Sequence, residues 1–282
     1  MVSGKNQEKS GEIENDGIEK DKSEMKKFIL MLISLFLVGC ASVPRPAGNA
    51  VPAGPPPYDS WSRVLEQHVD VEGRVNFAGI VKDRADLDRF VAYVYDNGPN
   101  NQPQLFPTPA HVLAFHINAY NALAMHQVIE TGIPQTNAGF KKVAFFYLGK
   151  VRVGGEPISL YDYENKVIRA LGDPRIHVAL NCMSVSCPHL PREVFIAEKL
   201  EAQLEREAKK FFNEARNVEV NDAAKTFKVS EILKFYTGDF LAQAPSLAAY
   251  VNRYRDRAVK IPENYAVDFI AYDWTINRQP SR

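Results

Sequence analysis

The sequence has few cysteines, no surplus of either charge, and no apolar run long enough to span a bilayer comfortably. Only three cysteines occur in 282 residues. No two of them are spaced Cys-x-x-Cys, which sets aside the common dithiol redox motif. Cys182 and Cys187 are spaced Cys-x4-Cys, which is not the common zinc pattern, although His177 and His189 flank the pair. Lys+Arg and Asp+Glu both number 34, so no global charge steers the chain to nucleic acid, and that partner class is set aside. The run Phe28 to Val38 is too short for a comfortable membrane span. No internal repeat is visible, which removes repeat architectures.

What is present is the composition of an ordinary globular protein, 45% hydrophobic and 24% charged, with ample apolar material for a core. The first part stands apart from it. Residues 1–24 are polar and charged and read as disordered, or as an upstream over-reading of the start codon. Residues 25–39 have the layout of a secretory signal peptide: Met25-Lys26-Lys27, the apolar run, then Gly39-Cys40-Ala41. The end, Leu37-Val38-Gly39-Cys40, resembles the lipobox of bacterial lipoproteins, which implies that Cys40 takes the lipid and becomes the new N-terminus. A short transmembrane anchor, or a signal peptide with a chance cysteine, is the alternative. Ala41 in second place implies, by resemblance to the usual sorting rule, the outer membrane facing the periplasm if the host is Gram-negative. Residues 40–57 are rich in Pro, Gly and Ala and read as an extended tether, leaving 58–282 as a single globular domain.

Within that domain helical spacing places helices at about 59–69, 83–95, 111–131, 161–171, 194–215 and 247–255. Ser230 begins another, interrupted at Thr237-Gly238. Short strands are expected at 143–148, 150–153 and 175–180, with a hairpin over 218–229 and an extended C-terminal stretch over 265–274. Helices dominate over a modest sheet, so the fold class is one mixed α/β or α+β domain.

The best candidate site is Arg175 to Pro188. Its first half is β-branched and apolar, as a buried strand would be, and its second half is small, polar and ends in proline. Cys182, Cys187 and His177 fall together there. A cysteine nucleophile needs a thiolate, a base and a group that orients the base. Cys182 or Cys187 supplies the thiol and His177 the base, with Glu164, Asn118 or Asn121 to orient it and His126 or His189 in reserve. Backbone N–H groups of the Cys182–Ser186 loop are the natural oxyanion donors. One objection is geometric: in a strand His177 would lie about 16 Å from Cys182 and on the opposite face. Alternatives stay open for each residue. Asn118 and Asn121 also read as buried amides that fasten loops, and His177 as an inert core histidine. Cys182 and Cys187 read equally as a structural disulfide in an oxidising compartment.

Several separated blocks resemble the domain of unknown function 547 family. Phe115-His116-Ile117-Asn118-Ala119-Tyr120-Asn121-Ala122-Leu123 resembles one, with His116 where the family has Trp. Asp162 to Arg169 with Glu164, then Ile176-His177-Val178-Ala179-Leu180-Asn181-Cys182 with Ser186-Cys187-Pro188, resemble two more. Asp239-Phe240 and Tyr272-Asp273-Trp274 resemble later blocks. The resemblance implies a domain of bacterial envelope proteins, and of some plant proteins, suspected of cysteine-hydrolase chemistry on a papain-like or transglutaminase-like core. Plant members keep the position of Cys182 and have Ser at that of Cys187, which favours Cys182 as the functional thiol. Two functions follow as expectations: a lipid-anchored cysteine hydrolase of peptide or amide bonds, or a non-catalytic envelope binding module with a Cys182–Cys187 disulfide. Neither calls for a metal or cofactor; the partners are the membrane, through Cys40, and a peptide or protein substrate.

Overall fold

A helix buried on every side organises the domain. In the computed structural model, which describes residues 42–47 and 51–280, this helix spans Pro109–Glu130. Thr108 caps it and Pro109 pre-sets its first turn. Every residue from Leu113 to Ile129 is buried, where helical spacing predicted one broad apolar side. Neighbours cover the whole circumference, so its polar residues must find partners inside the protein. Among the described residues no helix is long and apolar enough to cross a membrane. The readings of residues 1–24, of the signal peptide and of Cys40 lie outside the described residues.

Helices α1 (Tyr58–His68), α2 (Phe77–Lys82) and α3 (Ala85–Asp96) precede the central helix, α4. Past α4, the segment expected to be a strand is helical: α5, Phe140–Val143, runs into a π turn over Ala144–Leu148. The Gln127 side-chain amide explains part of this, since its Nε2 donates to the Phe145 carbonyl at 2.7 Å and ties the turn to α4. The hairpin β1 (Lys150–Val153) and β2 (Glu156–Ser159) then forms in the register Val153↔Glu156, with Gly154 and Gly155 at positive φ as its turn. A composite helix α6 follows: Leu160–Asp162 in α form, Tyr163–Ile168 in π form and a 3-10 turn at Arg169–Leu171.

The stretch expected to be a central strand is a 3-10 turn, Pro174–Val178. Asp173 caps it through the Arg175 N–H, and Pro174 sits at its first position. With about three residues per turn, Ile176, His177 and Val178 point three different ways. Ile176 enters one hydrophobic core, and Val178 enters a second one. His177 faces the space between.

The second core is built by α7 (Leu200–Asn213), the hairpin β3 (Val218–Asn221) and β4 (Thr226–Ser230), and the helices α8 (Glu231–Phe235), α9 (Thr237–Leu241) and α10 (Leu247–Tyr254). Strand β5 (Ala266–Ile270) pairs parallel with β4, Thr226↔Ala266 to Ser230↔Ile270. A parallel pair needs a long crossover, and α8 to α10 supply it. The fold is therefore a single mixed α+β domain, mainly helical, with a two-stranded and a three-stranded sheet.

The described part of the expected tether is laid against the body. Ser42 bridges to Lys150, and Val43 is buried with its N–H on the Lys150 carbonyl at 2.7 Å. Asp96 binds Arg45 at 2.6 Å and the Val51 N–H at 2.8 Å. The Tyr93 and Tyr95 hydroxyls donate to the Gly54 and Val43 carbonyls. The strip expected as an extended tether needs no periodicity to dock: its carbonyls accept from side chains.

Candidate active site

The site lies at the seam of the two cores, in a cavity of about 60 Å³ lined by Tyr120, Glu164, His177, Cys182, Cys187 and Tyr272 among others. The turn at Pro174–Val178 removes the geometric objection that a strand would have raised, since it brings His177 and Cys182 onto one cavity.

Asn121 and Asn181 hold the cysteine loop in place. Asn121 donates to the Ala179 carbonyl at 3.0 Å and accepts from the Asn181 N–H at 2.7 Å. Asn181 then accepts from the Met183 N–H and donates to the Pro188 carbonyl, closing the loop across its ends. Met183 takes φ +66°, a conformation that costs a non-glycine residue of order 1–3 kcal/mol and persists only where neighbours enforce it. The C-terminal segment completes the enforcement: the Val185 and Ser186 N–H groups donate to the carbonyls of Thr275 and Asp273. Four of the five expected oxyanion donors are engaged elsewhere, and the fifth, the Ser184 N–H, is directed at the two sulfurs. The N–H groups of Cys182, Met183, Val185 and Ser186 all have partners, on the Cys187 sulfur, Asn181, Thr275 and Asp273.

Both cysteines are free thiols and buried. The Tyr272 hydroxyl lies 3.3 Å from the Cys182 sulfur and 3.1 Å from that of Cys187, and Ser184 Oγ is 3.5 Å from Cys182. Burial pushes the Cys182 thiol up, but hydrogen bonds from Cys187, Ser184 and Tyr272 outweigh it and bring it down to about 7. Burial and the neighbouring Cys182 push Cys187 well up. The pair therefore gives up one proton readily and keeps the second, the behaviour of two sites sharing a charge. Burial, with the sulfurs beside it, also keeps the Tyr272 phenol protonated, so it stays a donor.

The imidazole of His177 is fully enclosed and stacked on Tyr236, ring centroids 3.9 Å apart. Its Nε2 meets Asp239 Oδ2 at 2.8 Å, and Arg169 grips the same carboxylate with two bonds of 2.7 Å. The hydrogen bonds from His177 and Arg169 hold the Asp239 carboxyl well below the usual carboxylate range. Nδ1 has no hydrogen-bond partner among the described residues. Glu164, expected to orient the ring, sits on this other side at 3.9 Å, with its second oxygen taken by the Tyr120 hydroxyl. Asp239 does the orienting instead. The π turn of α6 places Glu164 and Arg169, five residues apart, around the same ring.

Asn118 takes no part in this cavity. It accepts from the Trp61 indole and the Phe195 N–H and donates to the Ala114 and Phe195 carbonyls, which uses it fully as a fastener. Of the reserve histidines, His126 binds Pro44 and Arg84, and His189 binds the Val71 carbonyl; neither lines the cavity. Among the described residues no cluster of three His, Cys, Asp or Glu side chains forms a metal site.

Residues 107–212 match the family model described as "Protein of unknown function, DUF547". The match to the DUF547 family covers this central region alone. No curated protein and no solved structure matches the chain. The DUF547 match contains Glu164, Arg169, His177, Cys182 and Cys187. Asp239, Tyr236 and Tyr272 come from beyond it. Sequence reasoning had marked Asp239 and Tyr272 only as parts of blocks and assigned them no role; their distance along the chain leaves no periodic signal to connect them.

Proposed function

We propose that the protein is a cysteine-dependent acyl-transfer enzyme that hydrolyses peptide or amide bonds. The observation that carries the proposal is the shared cavity: a Cys182 thiol of lowered pKa, and a histidine held by Asp239 on one nitrogen with no hydrogen bond on the other. Cys182 attacks the carbonyl carbon while its proton passes to His177 Nδ1. The new S–C bond leaves an oxyanion, for which Tyr272 and Ser184 are the hydroxyl donors at hand. Collapse breaks the C–N bond, and His177 returns the proton to the departing amine. Water, deprotonated by the same imidazole, then cleaves the thioester and restores the thiol. Among the described residues no hydrogen bond joins Cys182 to His177. Both line the cavity of about 60 Å³, which leaves room for the scissile group.

A second reading is supported by the pair itself. The Cys182 N–H lies 2.9 Å from the Cys187 sulfur and one hydroxyl contacts both sulfurs, so oxidation would link them and leave a pinned binding surface. p-Nitrophenyl acetate separates the two. The hydrolase releases a burst of about one equivalent of nitrophenol, lost in Cys182→Ala and slowed in His177→Ala. The same release from Cys182→Ala as from wild type would overturn it.

Lipid attachment at Cys40 belongs to the same proposal and places the enzyme in the bacterial envelope, on the periplasmic face of the outer membrane in a Gram-negative host. Its support is the sequence Leu37-Val38-Gly39-Cys40. A palmitate analogue fed to cells should label wild type and not Cys40→Ser; equal labelling of both would remove the assignment.

A further inference from the structure

Of the exposed large apolar side chains, five gather at one place. Phe140, Val143 and Tyr147 lie on the α5 segment at spacings of three and four, and are 71%, 41% and 43% exposed. Tyr161 stacks on Tyr147 at 4.4 Å, and Phe235 stands across a groove of about 320 Å³ that also contains Lys142, Trp274 and Glu164. This groove shares Phe146, Glu164, Phe235, Tyr236 and Trp274 with the thiol cavity. Phe140 and Val143 do not line it: they project beyond its rim.

Charge says what covers the patch. From Ala138 to Lys150 the chain carries Lys141, Lys142 and Lys150 and no acidic residue, although the whole chain is neutral. Lys142 leans over Trp274 at 4.0 Å, and Lys141 is exposed. A helical segment with projecting Phe, Val and Tyr beside lysines is the layout of an element that rests in the interface of an anionic bilayer. At the far end of this segment Lys150 pairs with Ser42 and its carbonyl accepts from the Val43 N–H.

We propose that the α5 segment docks on an anionic lipid surface, with Phe140, Val143 and Tyr147 entering the headgroup boundary and Lys141 and Lys142 facing lipid phosphates. The groove mouth then opens at the membrane, and the substrate reaches the thiol from there. Docking itself does not depend on Cys182 being catalytic or on Cys40 being acylated.

The test uses the chain from Ala41 onward, which keeps every described contact and lacks both the apolar leader and Cys40. It is sedimented with vesicles of phosphatidylethanolamine and phosphatidylglycerol, and separately with phosphatidylcholine alone. Binding is expected on the anionic vesicles, weakened by salt and reduced about tenfold or more in Lys141→Glu, since each juxtamembrane charge counts for about 1 kcal/mol and reversal counts twice. Phe140→Ser should reduce it similarly while leaving the thermal midpoint unchanged, because the ring is 71% exposed. Absence of binding, or binding untouched by either substitution, overturns the proposal. So does a dimer in sedimentation velocity that Phe140→Ser dissolves without any vesicle binding.

Discussion

At Asp239 one carboxylate oxygen accepts from both His177 and Arg169, and that convergence fixes the imidazole. Asp239→Asn would remove the charge, weaken the Arg169 fork and leave His177 free to turn. Loss of an oriented base should slow acyl transfer by 10²-fold or more, within the range general-base catalysis contributes; the p-nitrophenyl acetate burst rate reads this. Stability should respond with a definite sign. A carboxyl held below its unfolded value contributes stability that is present above about pH 4 and is lost as pH falls through the folded value. Wild type should therefore lose thermal midpoint between pH 5 and acid more steeply than Asp239→Asn. Parallel slopes would mean the ion pair is not formed in solution.

At the scale of elements the site depends on a loop and a turn, both of which hang from α4. Asn121→Ala would strand the Ala179 carbonyl and the Asn181 N–H in the core. Each unsatisfied buried group costs roughly 1–3 kcal/mol, so a loss of about 3 kcal/mol is expected. For a domain of this size that is a fall in midpoint of roughly 6–12 °C; a change under 2 °C would deny the fastening role. The amide pair was legible beforehand because asparagines are anomalous inside an apolar helix. So were α1, α3, α4, the strand at 150–153, the hairpin over 218–229 and the break near Thr237. The turn at Pro174–Val178 was not. Ile176 and Val178 suit a strand locally, and only their burial in separate cores makes a turn the better solution. The segment 143–148 was misread for the same reason, its apolar residues lacking a period that separates strand from π turn.

For the whole molecule, the two cores meet at the site, the N-terminal strip packs on α3 and β1, and the C-terminal segment holds the cysteine loop. Val43 alone buries enough to matter, about 1.5–3 kcal/mol for a fully buried valine. A chain starting at Pro57 should melt roughly 3–12 °C below one starting at Ala41, and equal midpoints would restore the picture of a free spacer. The central claim is that Cys182 is a reactive thiol rather than half of a disulfide. Iodoacetamide treatment of the unreduced chain from Ala41 onward, followed by peptide mapping, addresses it most directly. The predicted result is one alkyl group on Cys182, its rate rising with pH around a midpoint of about 7 rather than the 8.5 of a free thiol. Cys187→Ala still reacts at Cys182 but with its midpoint moved up, because the Cys187 hydrogen bond is lost, and Cys182→Ala abolishes the reaction. No reaction before reduction, with each single alanine variant exposing the other thiol, would contradict the account.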